Sequence, residues 1–168
     1  LAAAAAFPVC AAGAASGPAS DTYPVKPVRL VVPFATGGTD IIARVIGGQL
    51  AIRLGKQVVI ENRPGAGGTI GMDYVAKSEP NGYTLLYTSP SIAIGPWVFK
   101  LAFDPVKSFN PISKTAQGPI VFTVHPSLPV KSIKDLITLA KKRPGGLTSA
   151  SSGAGSFVHL ATELFKQM

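Results

Sequence analysis

The stretch from Val28 to Glu61 constrains the fold more than any other. Val28-Arg29-Leu30-Val31-Val32 is an apolar, β-branched run that stops at Pro33. From Asp40 onward Ile41, Ile42, Val45, Ile46, Leu50 and Leu54 recur at helical spacing, and Gly55 supplies a stop. Gln57 to Glu61 (QVVIE) reads as a second short strand. Strand, helix and strand at this spacing make a βαβ unit, so the two strands run parallel. The double glycine Gly37-Gly38 sits at its first corner.

A loop, Asn62 to Thr69 (NRPGAGGT), leads to a short helix over 70–77 and a third strand over 84–88. Successive βα units point to an α/β domain with a mostly parallel sheet flanked by helices. Residues 89–111 show no clear periodicity. Ile120 to Val124 (IVFTV) is expected to be a fourth strand, and Leu147 to Ala150 another. Between them Ser132 caps a helix running to Lys142, with Asp135 at the third position and Ile133, Leu136, Ile137 and Ala140 on one face. The stretch SSGAGS, residues 151–156, opens a final helix. Strand, glycine corner and helix thus occur twice, at 28–54 and 147–168. The last helix shows no stop signal after Leu164 or Phe165, so the chain is expected to be part of a longer protein.

In an open parallel sheet, ligands bind beyond the carboxyl ends of the strands, where loops meet helix N-termini. Both glycine corners fall at such places. Gly37 and Gly38 let the backbone turn and approach a ligand, while Thr39 and Asp40 are suited to cap the following helix. Ser151, Ser152, Gly153, Ala154, Gly155 and Ser156 repeat the pattern with more hydroxyls. Unpaired N–H groups at a helix start, with the partial positive charge there, suit a carboxylate or a phosphate. The same residues also serve as plain turn and cap chemistry, and local pattern leaves both readings open.

Other motifs fail. In Gly65-Ala66-Gly67-Gly68-Thr69-Ile70 the third glycine of a dinucleotide fingerprint would fall on Ile70, and Gly55-Lys56-Gln57 with Leu50 upstream is no P-loop. His125, before Pro126, reads as a turn residue, and His159 lies one turn into the last helix. Neither pairs with a second histidine or a carboxylate cluster at metal-binding spacing, and Ala154 stands where a nucleophile elbow needs serine. The residues call for no catalysis, cofactor or metal. A net charge of +8 is dispersed, without a basic run or interleaved aromatics, so nucleic-acid binding is not expected.

Residues 1–20 (LAAAAAFPVCAAGAASGPAS) read as the apolar core and small-residue cleavage region of a secretory signal, too short to span a membrane. Cys10 is the one cysteine and lies in this leader; Phe7-Pro8-Val9 before it do not suit a lipid anchor. A mature chain without cysteine has neither disulfide nor thiol nucleophile. Export to a bacterial periplasm is the expectation.

The stretches YPVKPVRLVVPFATGG, TDIIAR, VVIENRPGAGGTIG, VAKSEPNGYTLL, FDPVKSFNPIS and SASSGAGSFVHLATELFKQM together resemble the Bug or TctC family, periplasmic solute receptors of tripartite tricarboxylate transporters. The resemblance covers nearly all of residues 23–168. It implies a monomeric, two-lobed Venus-flytrap receptor without enzyme activity, which passes a small carboxylate or dicarboxylate to membrane permease subunits. Family members run to about twice this length, so the chain would hold the N-terminal parts of a first lobe, residues 21–118, and a second, residues 119–168. Alone it is expected to be poorly stable and to bind weakly. The family's ligand grips, carried onto this chain, are Phe34, Ala35, Thr36, Gly37, Gly38, Thr39 and Asp40 in the first lobe. In the second they are Ser152, Gly153, Ala154, Gly155 and Ser156, followed by His159; Thr88 and Ser89 are rim candidates. One departure is that a single residue, Thr39, separates Gly38 from Asp40 where the family usually has two, a shortening expected to shift the helix start. A signalling partner or an α/β enzyme using the same anion sites are the alternative functions.

Overall fold

A computed structural model of the chain describes residues 23–167; the leader over 1–20 and Cys10 lie outside the described residues. Three strands form one sheet: β1 (Val28–Val32), β2 (Val58–Asn62) and β3 (Thr84–Leu86), in the order β2-β1-β3. Both pairings are parallel, with Leu30 opposite Ile60 on one side and Leu85 on the other. Helix α1 (Gly38–Leu54) is the crossover between β1 and β2, and α2 (Thr69–Ala76) that between β2 and β3. The expected βαβ unit and parallel α/β architecture are therefore present. Val28, Val31 and Val32 are fully buried, and Leu30, Val32 and Ala43 form a core with Phe34, Val58, Ile60, Leu85 and Tyr87 packed against it. β1 is the central strand, with neighbours on both edges, which is why its residues read as a near-continuous apolar run.

Three further helices follow: α3 (Ser91–Val98), α4 (Ile133–Lys142) and α5 (Phe157–Gln167). Ser132 caps α4 as expected, its hydroxyl accepting from the Asp135 N–H at 3.2 Å. The Asp135 carboxylate in turn accepts from the Lys131 N–H. Helix α3 lies in the stretch that showed no periodicity. It is one face of a short, glycine- and proline-bearing helix, too brief to establish a 3.6-residue repeat.

Two expected strands are absent. Residues 120–124 and 147–150 are irregular, and among the described residues no strand lies beside either. A strand's hydrogen bonds all go to a neighbour, so a β-prone segment without one has no ladder to join. Val121 is accordingly 72% exposed, although the Phe122 ring meets that of Phe165 at 4.7 Å between centroids.

The first corner also differs. Gly37, in extended backbone, occupies the N-cap of α1, with no side-chain cap bond from Thr39 or Asp40. Despite the shortened spacing, α1 starts directly at Gly38. Asp40, 1% exposed, turns inward. Its Oδ2 accepts from Arg44 Nε at 2.9 Å and its Oδ1 from Asn62 Nδ2 at 2.9 Å. Asn62 Nδ2 also donates to the Phe34 carbonyl, and Arg44 to Asn62 Oδ1. One network thus ties the loop after β1, the first turn of α1 and the end of β2.

The bonds from Arg44 and then Asn62 hold the Asp40 carboxyl below its ordinary value, outweighing the opposing effect of desolvation. A lowered folded value means the stabilisation is complete above the unfolded pKa of about 3.9 and is lost as pH falls through the folded value. Asp40→Ala, which strands the Asn62 and Arg44 donors, is expected to lower the melting midpoint by at least about 5 °C at pH 7. The gap between wild type and Asp40→Asn should be constant from pH 7 to about pH 5 and shrink below about pH 4. Thermal melts across that range check this; a gap unchanged at pH 3 would show that the carboxylate charge plays no part.

Candidate functional site

The carboxyl ends of β1, β2 and β3 lead into the loops 33–37, 63–68 and 87–90, so all three emerge on one side of the sheet. The segment 152–158 packs against these loops. One hydrogen bond and one close contact secure it. The Phe157 N–H donates to Ser91 Oγ at 3.0 Å, and Ser89 Oγ donates to the same oxygen at 2.9 Å. Ser91, 2% exposed, therefore couples the start of α3 to the start of α5.

The close contact is between backbones. A Cβ on Gly67 would stand 3.0 Å from the Ala154 carbonyl oxygen, and one on Gly155 would overlap the Phe99 ring. Both residues also have left-handed φ, +64° and +73°. Glycine is required twice over at each, by conformation and by space.

The SSGAGS segment is shaped from within by two side chains. Ser156, 1% exposed, caps α5 by accepting from the His159 N–H at 3.2 Å. His159 Nδ1 accepts from the Gly155 N–H at 3.2 Å, which places the proton of the neutral ring on Nε2. Glu163 Oε1 lies 3.8 Å from that Nε2.

Between the two corners lies a cavity of about 400 Å³, lined by Phe34 to Thr39, Ser89, Ser91, Ser152, Phe157 and Val158. The first turn of α1 opens on it through Gly38 and Thr39, whose N–H groups have no acceptor among the described residues. At α5 the Phe157 and His159 N–H groups are taken by Ser91 and Ser156, and the Val158 N–H has no partner among the described residues. Five hydroxyl side chains, Thr36, Thr39, Ser89, Ser91 and Ser152, complete the lining, and no ionisable side chain of the described residues contributes. Such a surface offers hydrogen-bond donors and two positive helix ends, without a fixed cation. It contains no acid–base pair, and among the described residues no group of three or more metal-ligating side chains occurs.

The structure brings Phe34, Ala35, Thr36, Gly37, Gly38, Thr39, Ser89 and Ser152 together around this space, with Gly153 and Ala154 lining an adjoining cavity. Asp40, Thr88, Gly155, Ser156 and His159 line neither. Asp40, Gly155, Ser156 and His159 instead hold the lining segments in place, and Thr88 Oγ1 is buried without a partner among the described residues. Sequence reasoning missed Ser91, Phe99, Asn62 and the 64–68 loop as site residues. Asn62 and the loop stand at a strand's carboxyl end, a position that could have marked them; Ser91 and Phe99 lie in the aperiodic stretch and carry no such signal.

Gly155→Ala is expected to destabilise the fold by more than Gly145→Ala. Both have a left-handed φ, at a cost of about 1–2 kcal/mol for an added side chain, but only at Gly155 must Phe99 also move. Urea midpoints of the two variants measure the difference; equal midpoints would mean that Phe99 yields freely.

Comparison with known proteins agrees with this geometry. The family model described as tripartite tricarboxylate transporter family receptor, TctC, matches residues 42–168. Protein BugT of Bordetella pertussis is 41% identical over 162 residues, covering 94% of this chain and 50% of BugT. Among solved structures, R. palustris Rpa4515 with adipate superposes with a TM-score of 0.82 at 42% identity, over 87% of this chain and 50% of that one. MatC (Rpa3494) from Rhodopseudomonas palustris with bound malate gives 0.74 at 33% identity, over 86% and 51%. The chain spans about half the length of the curated relatives it matches. A parallel α/β sheet with two glycine corners facing one cavity, and a family match over most of its length, place the chain in the tripartite tricarboxylate transporter receptor family.

Proposed function

We propose that the protein carrying this chain is an extracytoplasmic receptor that binds a small carboxylate and hands it to the membrane subunits of a tripartite transporter. The observation that supports this most directly is the cavity where the unspent N–H groups of Gly38, Thr39 and Val158 meet five hydroxyls. A carboxylate has acceptor capacity on both oxygens and satisfies these donors, while the helix ends stabilise its charge. The named ligands of the two related structures, adipate and malate, are both dicarboxylates. Phe34 to Thr39 form one grip, Ser152 to Ala154 the other, and Asp40, Ser156 and His159 position them. Residues 21–118 and 119–168 would belong to two lobes that close on the ligand. The protein works as a periplasmic monomer and performs no chemistry on its cargo.

Isothermal titration of the purified protein with adipate and with malate is the test, with micromolar binding of at least one expected. Gly38→Val is the informative variant, because Gly38 lines the cavity and a Cβ there meets nothing within 4 Å. It should weaken binding at least about 10-fold with little change in the melting midpoint. Unaltered affinity in Gly38→Val would remove the first corner from the site.

A further inference from the structure

One hydroxyl of the cavity differs from the rest. Of the five that line it, Thr36 and Ser152 are exposed and Thr39 and Ser89 half-buried, whereas Ser91 is 2% exposed. A hydroxyl carries one proton and accepts two bonds. Both acceptor positions of Ser91 Oγ are taken, by the Phe157 N–H at 3.0 Å and by Ser89 Oγ at 2.9 Å. Ser89 Oγ in turn accepts from the Ser91 N–H at 3.3 Å. The two serines therefore hold two hydroxyl protons and share one mutual bond, which leaves one proton over. With Ser89 as the donor of that bond, the proton left over is that of Ser91, and it has no acceptor among the described residues.

A donor withdrawn from bulk water is costly to leave unmatched, and the cavity that Ser91 lines is where an acceptor has room. We propose that Ser91 is a third contact to the ligand, its hydroxyl donating to a carboxylate oxygen held between the two corners. This rests on the carboxylate reading above and adds a residue that belongs to neither grip. Because both of its lone pairs are engaged, Ser91 offers the cavity a proton and nothing else. The ligand atom that meets it has to be an acceptor: an ionised carboxylate oxygen qualifies, and an ammonium or the NH2 of an amide does not. A hydrogen bond to a charged oxygen is about twice as strong as one between neutral groups, so a single buried serine has a measurable share in affinity.

Titration of the purified wild-type protein and of Ser91→Ala with adipate and with malate is the test. Affinity for the tighter of the two is expected to fall at least about 10-fold in the variant. Ser91→Ala also deprives the Phe157 N–H of its acceptor, so two further measurements separate a contact from a positioning role. Ser91→Cys keeps the side-chain shape and a sulfur acceptor for Phe157 but donates weakly; it should lose about 5-fold in affinity with a melting midpoint close to wild type, and it decides the matter if Ser91→Ala does not fold. Infrared spectra of the bound ligand, 13C-labelled at its carboxylates, should show a shifted carboxylate stretch in both variants. Wild-type affinity in Ser91→Cys or in a folded Ser91→Ala overturns the contact and leaves the carboxylate reading standing. Weaker binding with an unshifted stretch makes Ser91 a positioning residue and equally overturns the contact. Absence of heat with both adipate and malate in the wild type overturns the carboxylate reading together with it.

Discussion

The first corner of the candidate site depends on a buried carboxylate, that of Asp40. A charge taken out of water must be met by partners, and Arg44 and Asn62 meet this one from two directions. Asn62 also holds the Phe34 carbonyl, so the end of β2 dictates the path of the loop leaving β1. Because Asp40 turns inward, it does not consume the first amides of α1. Those of Gly38 and Thr39 remain available at the cavity, without an acceptor among the described residues. The inward turn of Asp40 thereby leaves the start of α1 open to the cavity.

The second corner reaches the same end by different means. Ser156 and His159 close the SSGAGS turn on itself, and Ser91 holds the start of α5 against α3. The Gly67 and Gly155 backbones then approach too closely for a side chain, which fixes the spacing between the 64–68 loop and the second corner. The resulting site is made mainly of backbone amides and hydroxyls. Such donors are pre-oriented by the loops and need no long cationic side chain to be ordered. The Phe99 ring packs against the same two glycines.

Much of this was legible in the chain. The period-3.6 pattern after Asp40 and the flanking β-branched runs suffice for β1, α1 and β2, because local periodicity reports which face of each element is buried. The glycine corners were legible too, since their chemistry is local. Ten of the fifteen residues carried over from the family line the paired cavities, and the other five do not. Asp40 was misread as a helix cap, because its role depends on Asn62, twenty-two residues away. Ser91 and Phe99 gave no local sign at all.

The strands over 120–124 and 147–150 show the opposite limit. Their residues favour β structure, yet a ladder is a relation between two segments, and the described residues place no second strand beside either. What the sequence by itself determined is the parallel βαβ frame, the position of both glycine corners and the family they belong to, all carried by short-range pattern. Only the tertiary structure decided that Asp40 faces inward, that Ser91 joins two helices, and that Phe34 and Phe99 line one cavity. Those arrangements arise where residues distant along the chain compete for the same donors and the same space.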